Sequence, residues 1–344
     1  MLKDSRPWLK PFGLFYGKVM ACRNLLYDQG YFESHAVDRP VISVGNLTVG
    51  GAGKTPVTMA LLQKLKAQGL RPAVISRGYG RRGCVVSAVD LRASDAVSRF
   101  GDEPVLIKSH YGDVPVYVGA KRVDVAKLVL RHEKVDVIVA DDAFQHRSLR
   151  RQLDVVVLDA CQSLESLRPL PWGLGREDRQ GLKRAQVVVL NKVNLAPVAH
   201  LNKWREWFGQ ELRSSQILIE AAYQAKKIEP LTPGSGEFER VNSWRACAGI
   251  ARPETFAKLL REELKLSVHG ESWFADHHDY SVEDLALIEK SLKPGQGVVI
   301  TEKDAVKWRS LNSPLLNRTA VAGLQIKWVK NEEALDHALA AVTR

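Results

Sequence analysis

Apolar runs alternate with helical patterns through the first half of the chain. Short β-rich runs fall at 41–46, 72–77, 114–118, 135–140, 153–158 and 186–191. Helical periodicity fills 54–68, 103–109 and 120–132. Strands joined by crossover helices predict a mostly parallel sheet with helices on both faces. Ligands of such a sheet bind beyond the C-terminal ends of its strands.

A polar amphipathic helix is expected over 197–212, followed by a Pro- and Gly-marked turn, "LTPGSGEFER", at 231–240. A second set of elements follows: strands 244–248, 297–300 and 320–326, and helices 253–264, 281–292 and 331–343. The expected organisation is α/β throughout. It comprises an N-terminal segment 1–36, a larger α/β core domain 37–195, a connecting segment 196–235 and a smaller α/β domain 236–344.

Residues 7–27 carry a different pattern. Trp8, Phe12, Phe15 and Val19 recur at helical spacing, with Leu9, Tyr16 and Met20 beside them, and Lys3, Arg6, Lys10, Lys18 and Arg23 add positive charge. An interfacial helix looks like this, and so does a first helix packed on a core. Pro11, Gly13 and Gly17 weaken both versions.

Composition narrows the class. A chain of 344 residues with 45% hydrophobic content has ample material for a buried core, and disorder is not expected. Its four cysteines, Cys22, Cys84, Cys161 and Cys247, lie far apart with no C-x-x-C pair, which suggests neither a disulfide framework nor a zinc site and fits a reducing compartment. The formal charge of +11 calls for an anionic partner: nucleic acid, acidic lipid headgroups or a phosphorylated substrate. No run of 18 apolar residues and no secretory cleavage signal is visible.

The sharpest chemical signal is "VISVGNLTVGGAGKTP" at 41–56. A phosphate cradle needs converging backbone N–H groups, small residues, a helix N-terminus and a Lys. The run Thr48, Val49, Gly50, Gly51, Ala52, Gly53, Lys54 and Thr55 supplies them, although Thr48 stands where the common pattern has Gly. Lys54 suits the β- and γ-phosphates of a nucleotide and Thr55 a magnesium ion. A Gly-rich strand-to-helix turn is the alternative. In "VDVIVADDAFQHRSLRR" a strand ends at Asp141-Asp142, the position from which a carboxylate holds Mg²⁺ in P-loop proteins. Arg147, Arg150 and Arg151 then either face phosphates or form a solvated basic face.

"ISRGYGRR" puts Arg77, Arg81 and Arg82 past another strand end, as cations for an anionic substrate or as an exposed loop. Asp102 of "GDEP" is either a helix cap or a general base. "WFADHHDYS" clusters Asp276, His277, His278 and Asp279. Adjacent histidines diverge on any regular element, which disfavours a zinc pair and leaves one ring to orient a carboxylate or bind phosphate. "TEKDAVKW" is explained as a helix start capped by Thr301, without a functional role. In "VVVLNKVN", Asn194 occupies the place of the Asp that guanine-specific proteins use, so the pattern leans to ATP over GTP.

Together "GNLTVGGAGKTP", "SRGYGRR", "GDEP", "DDAFQH", "LPWGLGRE", "AGIARPETF", "DHHDYS" and "TEKDAVKW", spread from about residue 40 to 308, resemble one family: the tetraacyldisaccharide 4′-kinases of lipid A biosynthesis. Thr48 belongs to that family's variant of the loop, and Ala143 departs from an expected Gly. The resemblance implies Mg²⁺-dependent transfer of the ATP γ-phosphoryl group to the 4′-hydroxyl of a lipid-linked disaccharide 1-phosphate. It also implies work at the anionic cytoplasmic face of the bacterial inner membrane through the N-terminal helix. By the same resemblance Asp102 is the catalytic base and His277 its partner, Lys54 serves the phosphates, and Thr55, Asp141, Asp142 and Glu177 form the metal site. Arg77, Arg81, Arg82, Gln145 and His146 are acceptor-side candidates.

Two other classes stay in view. A P-loop ATPase or GTPase switch, or a metal-delivery protein acting on a partner, would explain the loop and Asp141-Asp142 but not the aromatic N-terminus. A nucleic-acid-binding ATPase is motivated by charge alone, and no stacking platform of aromatic and basic residues supports it, so no nucleic-acid partner is expected. Oligomeric state is not legible.

Overall fold

The structure, a computed structural model, describes residues 5–343, so Lys3 of the basic N-terminal set lies outside it. A 3₁₀ turn, Pro7–Leu9, leads into α1 (Lys10–Asp28). Next come β1 (Val41–Gly45), α2 (Lys54–Ala67), β2 (Pro72–Ser76), β3 (Ser87–Ala88), α3 (Ala96–Phe100) and α4 (Asp102–His110). They are followed by β4 (Val116–Val118), α5 (Arg122–His132), β5 (Val137–Asp141), β6 (Leu153–Asp159) and β7 (Val187–Asn191). The second half holds α6 (Val198–Glu211), β8 (Ile217–Pro230), β9 (Ser243–Ala248), α7 (Pro253–Glu262) and β10 (Val268–Trp273). It closes with α8 (Val282–Lys290), β11 (Gln296–Thr301), α9 (Glu302–Trp308), β12 (Thr319–Lys330) and α10 (Glu332–Thr343).

One twelve-stranded sheet carries the chain in the order β10-β9-β11-β12-β8-β7-β6-β1-β5-β2-β4-β3. Neighbours run parallel except at β8–β12 and β3–β4. The continuous apolar strands follow from burial on both faces. Ile42, Val44, Val139 and Val155 pack toward α2, α4 and α10, while Val41, Ile138 and Ala140 pack toward α5. Farther along, Val156 and Val188 meet Trp204, Trp207 and Phe208 of α6. The expected α/β sheet with helices on both faces is what forms.

Three strands escape the sequence pattern, the first of them the two-residue β3. Strand β8 has its apolar run broken by Glu220 and a polar second half, Gln224–Pro230, whose backbone is satisfied by antiparallel pairing with β12. That pairing also carries β12 four residues past the expected 326. Strand β10 is an edge strand with His269, Glu271 and Ser272 in six residues, too polar to stand out.

In α1 the glycines make the contact. Gly13 and Gly17 are the buried positions, and a Cβ at Gly13 would strike the Trp172 side chain and the Pro169 carbonyl. Pro11 sits harmlessly in the first turn. Away from that contact, Phe12 and Phe15 of α1 are exposed at 64% and 71%, and Trp8 in the preceding 3₁₀ turn at 76%. Among the described residues no helix is long and apolar enough to cross a membrane.

Candidate active site

The phosphate loop spans β1 to α2. Thr48 is buried and its hydroxyl donates to Gln162 Oε1 (3.2 Å), while Asn46 Nδ2 holds its carbonyl at 2.5 Å. The atypical entry residue is therefore turned into the protein, away from the anion side. Gly53 adopts φ +86° ahead of Lys54, and a Cβ there would meet the Tyr223 hydroxyl and the Asn191 amide.

Two residues of "LNKVN" brace this loop from β7. Asn191 Nδ2 donates to the Ala52 carbonyl (3.0 Å) and Lys192 Nζ to the Gly51 carbonyl (2.6 Å). Lys192 also pairs with Asp159 Oδ2 at 2.7 Å, and both side chains are buried. Burial opposes the Lys192 charge, but Asp159 outweighs it and holds the ammonium above its ordinary pKa. From sequence alone this stretch bears only on which base is bound. Asn194 is occupied structurally, bonding the Tyr223 backbone and Glu263.

At the end of β5, Asp141 Oδ1 accepts from Thr58 Oγ1 (2.8 Å), one turn after Thr55 on α2. Its Oδ2 is buried with no hydrogen-bond partner. Burial, Glu103 and Asp142 push its carboxyl up to about 7. Asp142 takes the strained φ of +47°, so the turn is bent there and Ala143 simply donates to the Val44 carbonyl at 3.1 Å. Burial would raise Asp142 too, but Lys54 (3.7 Å) and Arg176 (2.8 Å) hold it low.

An orphaned carboxylate oxygen beside a phosphate loop fits a hard cation such as Mg²⁺, which takes one or two carboxylates and leaves other positions to phosphates and water. No cluster of three or more His, Cys, Asp or Glu able to hold a metal by itself is present among the described residues. Glu177 is differently engaged. Its buried carboxylate accepts from Asn24, Gln145 and Arg184 at 2.8–2.9 Å, which ties α1 to the body.

Asp102 opens α4, and its Oδ1 accepts the Glu103 N–H at 2.9 Å. Oδ2 meets His277 Nδ1 at 2.9 Å, Lys307 Nζ at 3.2 Å and Lys303 Nζ at 3.8 Å. Burial alone would raise this carboxyl, but His277, Lys303 and Lys307 hold it well below the usual range. The neighbouring His278 turns away to Asp284 (3.0 Å), so His277 is the ring that pairs with Asp102. His277 reaches Asp102 from a backbone at φ +62°, with its N–H on the Gly249 carbonyl. Asp304 secures that loop through Gly249 N–H and the Tyr280 hydroxyl.

The stretch "TEKDAVKW" is therefore more than a capped helix start. Thr301 does cap α9, yet Lys303 and Lys307, one turn apart on α9, both reach Asp102. The cap by itself accounts for the local sequence pattern, and nothing local marks the two ammoniums that share one helix face.

Two cavities share Tyr79 and His277. One of about 380 Å³ contains the glycine loop, Lys54, Thr55, Asp142, Arg176 and Lys303. The other, about 690 Å³, contains Arg82, Arg92, Asp102, Asp279 and Lys307. Of the remaining candidates, Arg77 is exposed and Arg81 Nη1 donates to the Val85 carbonyl. Gln145 bonds the Asn46 carbonyl and Glu177. Burial, then Arg122 and Arg77, lowers His146 to about 4. Arg147 and Arg151 are neither solvated nor phosphate-facing: they pair with Asp28 and Asp154.

Residues 5–344 match the family model described as tetraacyldisaccharide-1-P 4′-kinase. A tetraacyldisaccharide 4′-kinase of Bdellovibrio bacteriovorus is 38% identical over 333 residues, 92% of each chain. One from Chlorobium luteolum is 34% identical over 356 residues, covering 98% of this chain and 97% of its own. The crystal structure of LpxK from Aquifex aeolicus in complex with ATP superposes with a TM-score of 0.75 at 27% identity, covering 98% of both chains. The chain belongs to the tetraacyldisaccharide-1-P 4′-kinase family.

Proposed function

We propose that this protein transfers the γ-phosphoryl group of ATP to the 4′-hydroxyl of tetraacyldisaccharide 1-phosphate, a step of lipid A biosynthesis. The observation that carries the reading is the position of His277, on the wall shared by the phosphate-loop cavity and its larger neighbour, with Asp102 bonded to it. A donor bound over Lys54 and an acceptor in the second cavity would meet at that wall.

In this reading Lys54 neutralises the β- and γ-phosphates and the glycine loop orients them. Thr55, Asp141 and Asp142 would hold Mg²⁺, which supplies charge neutralisation to the phosphates. Asp102 accepts the 4′-hydroxyl proton. The sugar oxygen bonds to the γ-phosphorus as the bond to the bridging oxygen breaks, and ADP leaves. Phosphoryl transfer asks mainly for positioning and electrostatic stabilisation, which these groups can provide. Glu177 acts at a distance, by fixing α1 and Gln145. Arg82, in the larger cavity, with Arg77 and Arg81 on the same loop, would offer positive charge to the anionic acceptor, while His146, kept neutral by burial, would offer only hydrogen bonding.

An acceptor with four acyl chains stays in its bilayer, so the enzyme must reach it there. The exposed Trp8, Phe12 and Phe15 of the N-terminal helical segment support docking on the anionic cytoplasmic face of the inner membrane. Phosphorus NMR of the product tests the assignment: a new monoester coupled to the 4′ proton is expected, and phosphate on another position would refute it.

A further inference from the structure

Lys303 touches three groups at once. Its Nζ lies 3.1 Å from His277 Nε2, 3.1 Å from Asp276 Oδ1 and 3.8 Å from Asp102 Oδ2. Lys307 reaches Asp102 Oδ2 at 3.2 Å and donates to the His278 carbonyl at 3.0 Å. Burial pulls Lys303 toward neutrality, but Asp102, Glu103 and Asp276 more than offset this, so it is an ammonium.

These contacts dictate the state of the His277 ring. An ammonium has three donors and no acceptor, so the Nε2 facing Lys303 must present its lone pair. An ionised carboxylate only accepts, so Nδ1 must carry the proton that points at Asp102. A second ring proton would have to displace Lys303 and sit beside its charge.

We propose that Lys303 and Lys307 are positioning residues that hold Asp102 ionised and lock His277 as the neutral Nδ1–H tautomer, leaving Asp102 as the proton acceptor. The ring then orients the carboxylate and takes no proton itself. Lys303 lines the phosphate-loop cavity and Lys307 the larger one, so Asp102 has one ammonium toward each substrate space. The charged groups around the pair are Lys303 and Lys307 from α9, Asp276 from the preceding loop and Glu103 on α4, while the Tyr79 ring packs 5.1 Å from His277. This inference rests on the kinase reading for its catalytic meaning, though not for the tautomer.

The test is nitrogen-15 NMR of the full-length protein at neutral pH, with the His277 signals assigned by their loss in His277→Gln. The expected spectrum has a pyrrole-like Nδ1 and a pyridine-like Nε2; a pyridine-like Nδ1, or an imidazolium, overturns the proposal. In Lys303→Met the ring should show the imidazolium pattern at about pH 6. There kcat/KM should fall about tenfold, against less than about threefold at pH 8.5, as expected for loss of a charge within 4–6 Å. Lys307→Met should lose activity on the same acid side, and Lys307→Arg should restore the profile. Should Lys303→Met fail to fold, Lys303→Gln keeps a donor to Nε2 without the charge and should give an intermediate profile. Uniform loss at every pH, with an unchanged ring spectrum, would reduce both lysines to structural supports and overturn the proposal. If the predicted tautomer is found but the wild-type protein phosphorylates no acceptor, the inference stands and the kinase reading fails.

Discussion

Asp102 and His277 stand 175 positions apart in the chain and meet at 2.9 Å, Oδ2 to Nδ1. One opens a helix in the first half, and the other sits on a loop of the second, anchored by Asp304. Their junction makes the cleft a single chemical unit. Asp102→Asn keeps the shape and removes the charge. Its kcat for phosphate transfer should drop by about 10²–10⁴-fold, with ATP affinity kept within about threefold. Steady-state kinetics together with nucleotide titration would check it; survival of activity within a few-fold would rule out the base role.

Asp141 makes a pH-dependent statement about stability. Its carboxyl sits near 7 in the folded protein against 3.8 ordinarily, so folding takes up a proton between those values. Stability from this group is present below about pH 4 and is lost as pH rises toward 7. Asp141→Asn cannot ionise, so in metal-free buffer its melting temperature should gain on wild type as pH rises from 5 to about 8. Adding Mg²⁺ and nucleotide should stabilise wild type and leave the variant nearly unchanged. A variant that melts lower than wild type at pH 8 without metal would contradict the orphaned-oxygen account.

Lys192 is expected to matter for more than the nucleotide base. Removing it strands the buried Asp159 and frees the Gly51 carbonyl, so Lys192→Ala should cost about 3–5 kcal/mol. Denaturant unfolding should show the loss, accompanied by weaker ATP binding. A stability change below about 1 kcal/mol would mean that the pair is solvated in solution.

The exposed rings of α1 should carry membrane affinity. Phe12→Ser with Phe15→Ser removes two exposed rings, each contributing about 1.5–3 kcal/mol when buried in an apolar medium. Co-sedimentation with anionic vesicles should fall at least tenfold, while the melting temperature stays within about 2 °C. Unchanged sedimentation would assign those rings to a protein contact.

Much of this was legible because the chemistry is local. A loop such as "GGAGKTP" needs its residues consecutively, and β5 announces the acidic pair by ending at Asp141 with Asp142 next in the turn. The six strands β1, β2, β4, β5, β6 and β7 lie on apolar runs buried on both faces, which sequence pattern detects well. What stayed hidden depends on distant partners. Strand β8 is defined by its ladder to β12, and Lys303 gains its meaning from Asp102, 201 positions earlier by sequence number. Gly13 and Gly17 read as helix weaknesses until Trp172 and Pro169 showed why a side chain could not fit. Asn191 and Lys192 were visible as a motif, but only the backbone of the glycine loop reveals what they hold.

The central claim is transfer to a lipid-borne sugar, and the most direct measurement is the fate of the γ-phosphate. Purified protein is incubated with γ-labelled ATP, Mg²⁺ and tetraacyldisaccharide 1-phosphate in detergent or vesicles, and the lipid is separated from the aqueous phase. Label should enter the disaccharide in proportion to ADP formed, and should vanish with Asp102→Asn. Brisk ATP hydrolysis that needs no lipid and leaves the acceptor unlabelled would contradict the account.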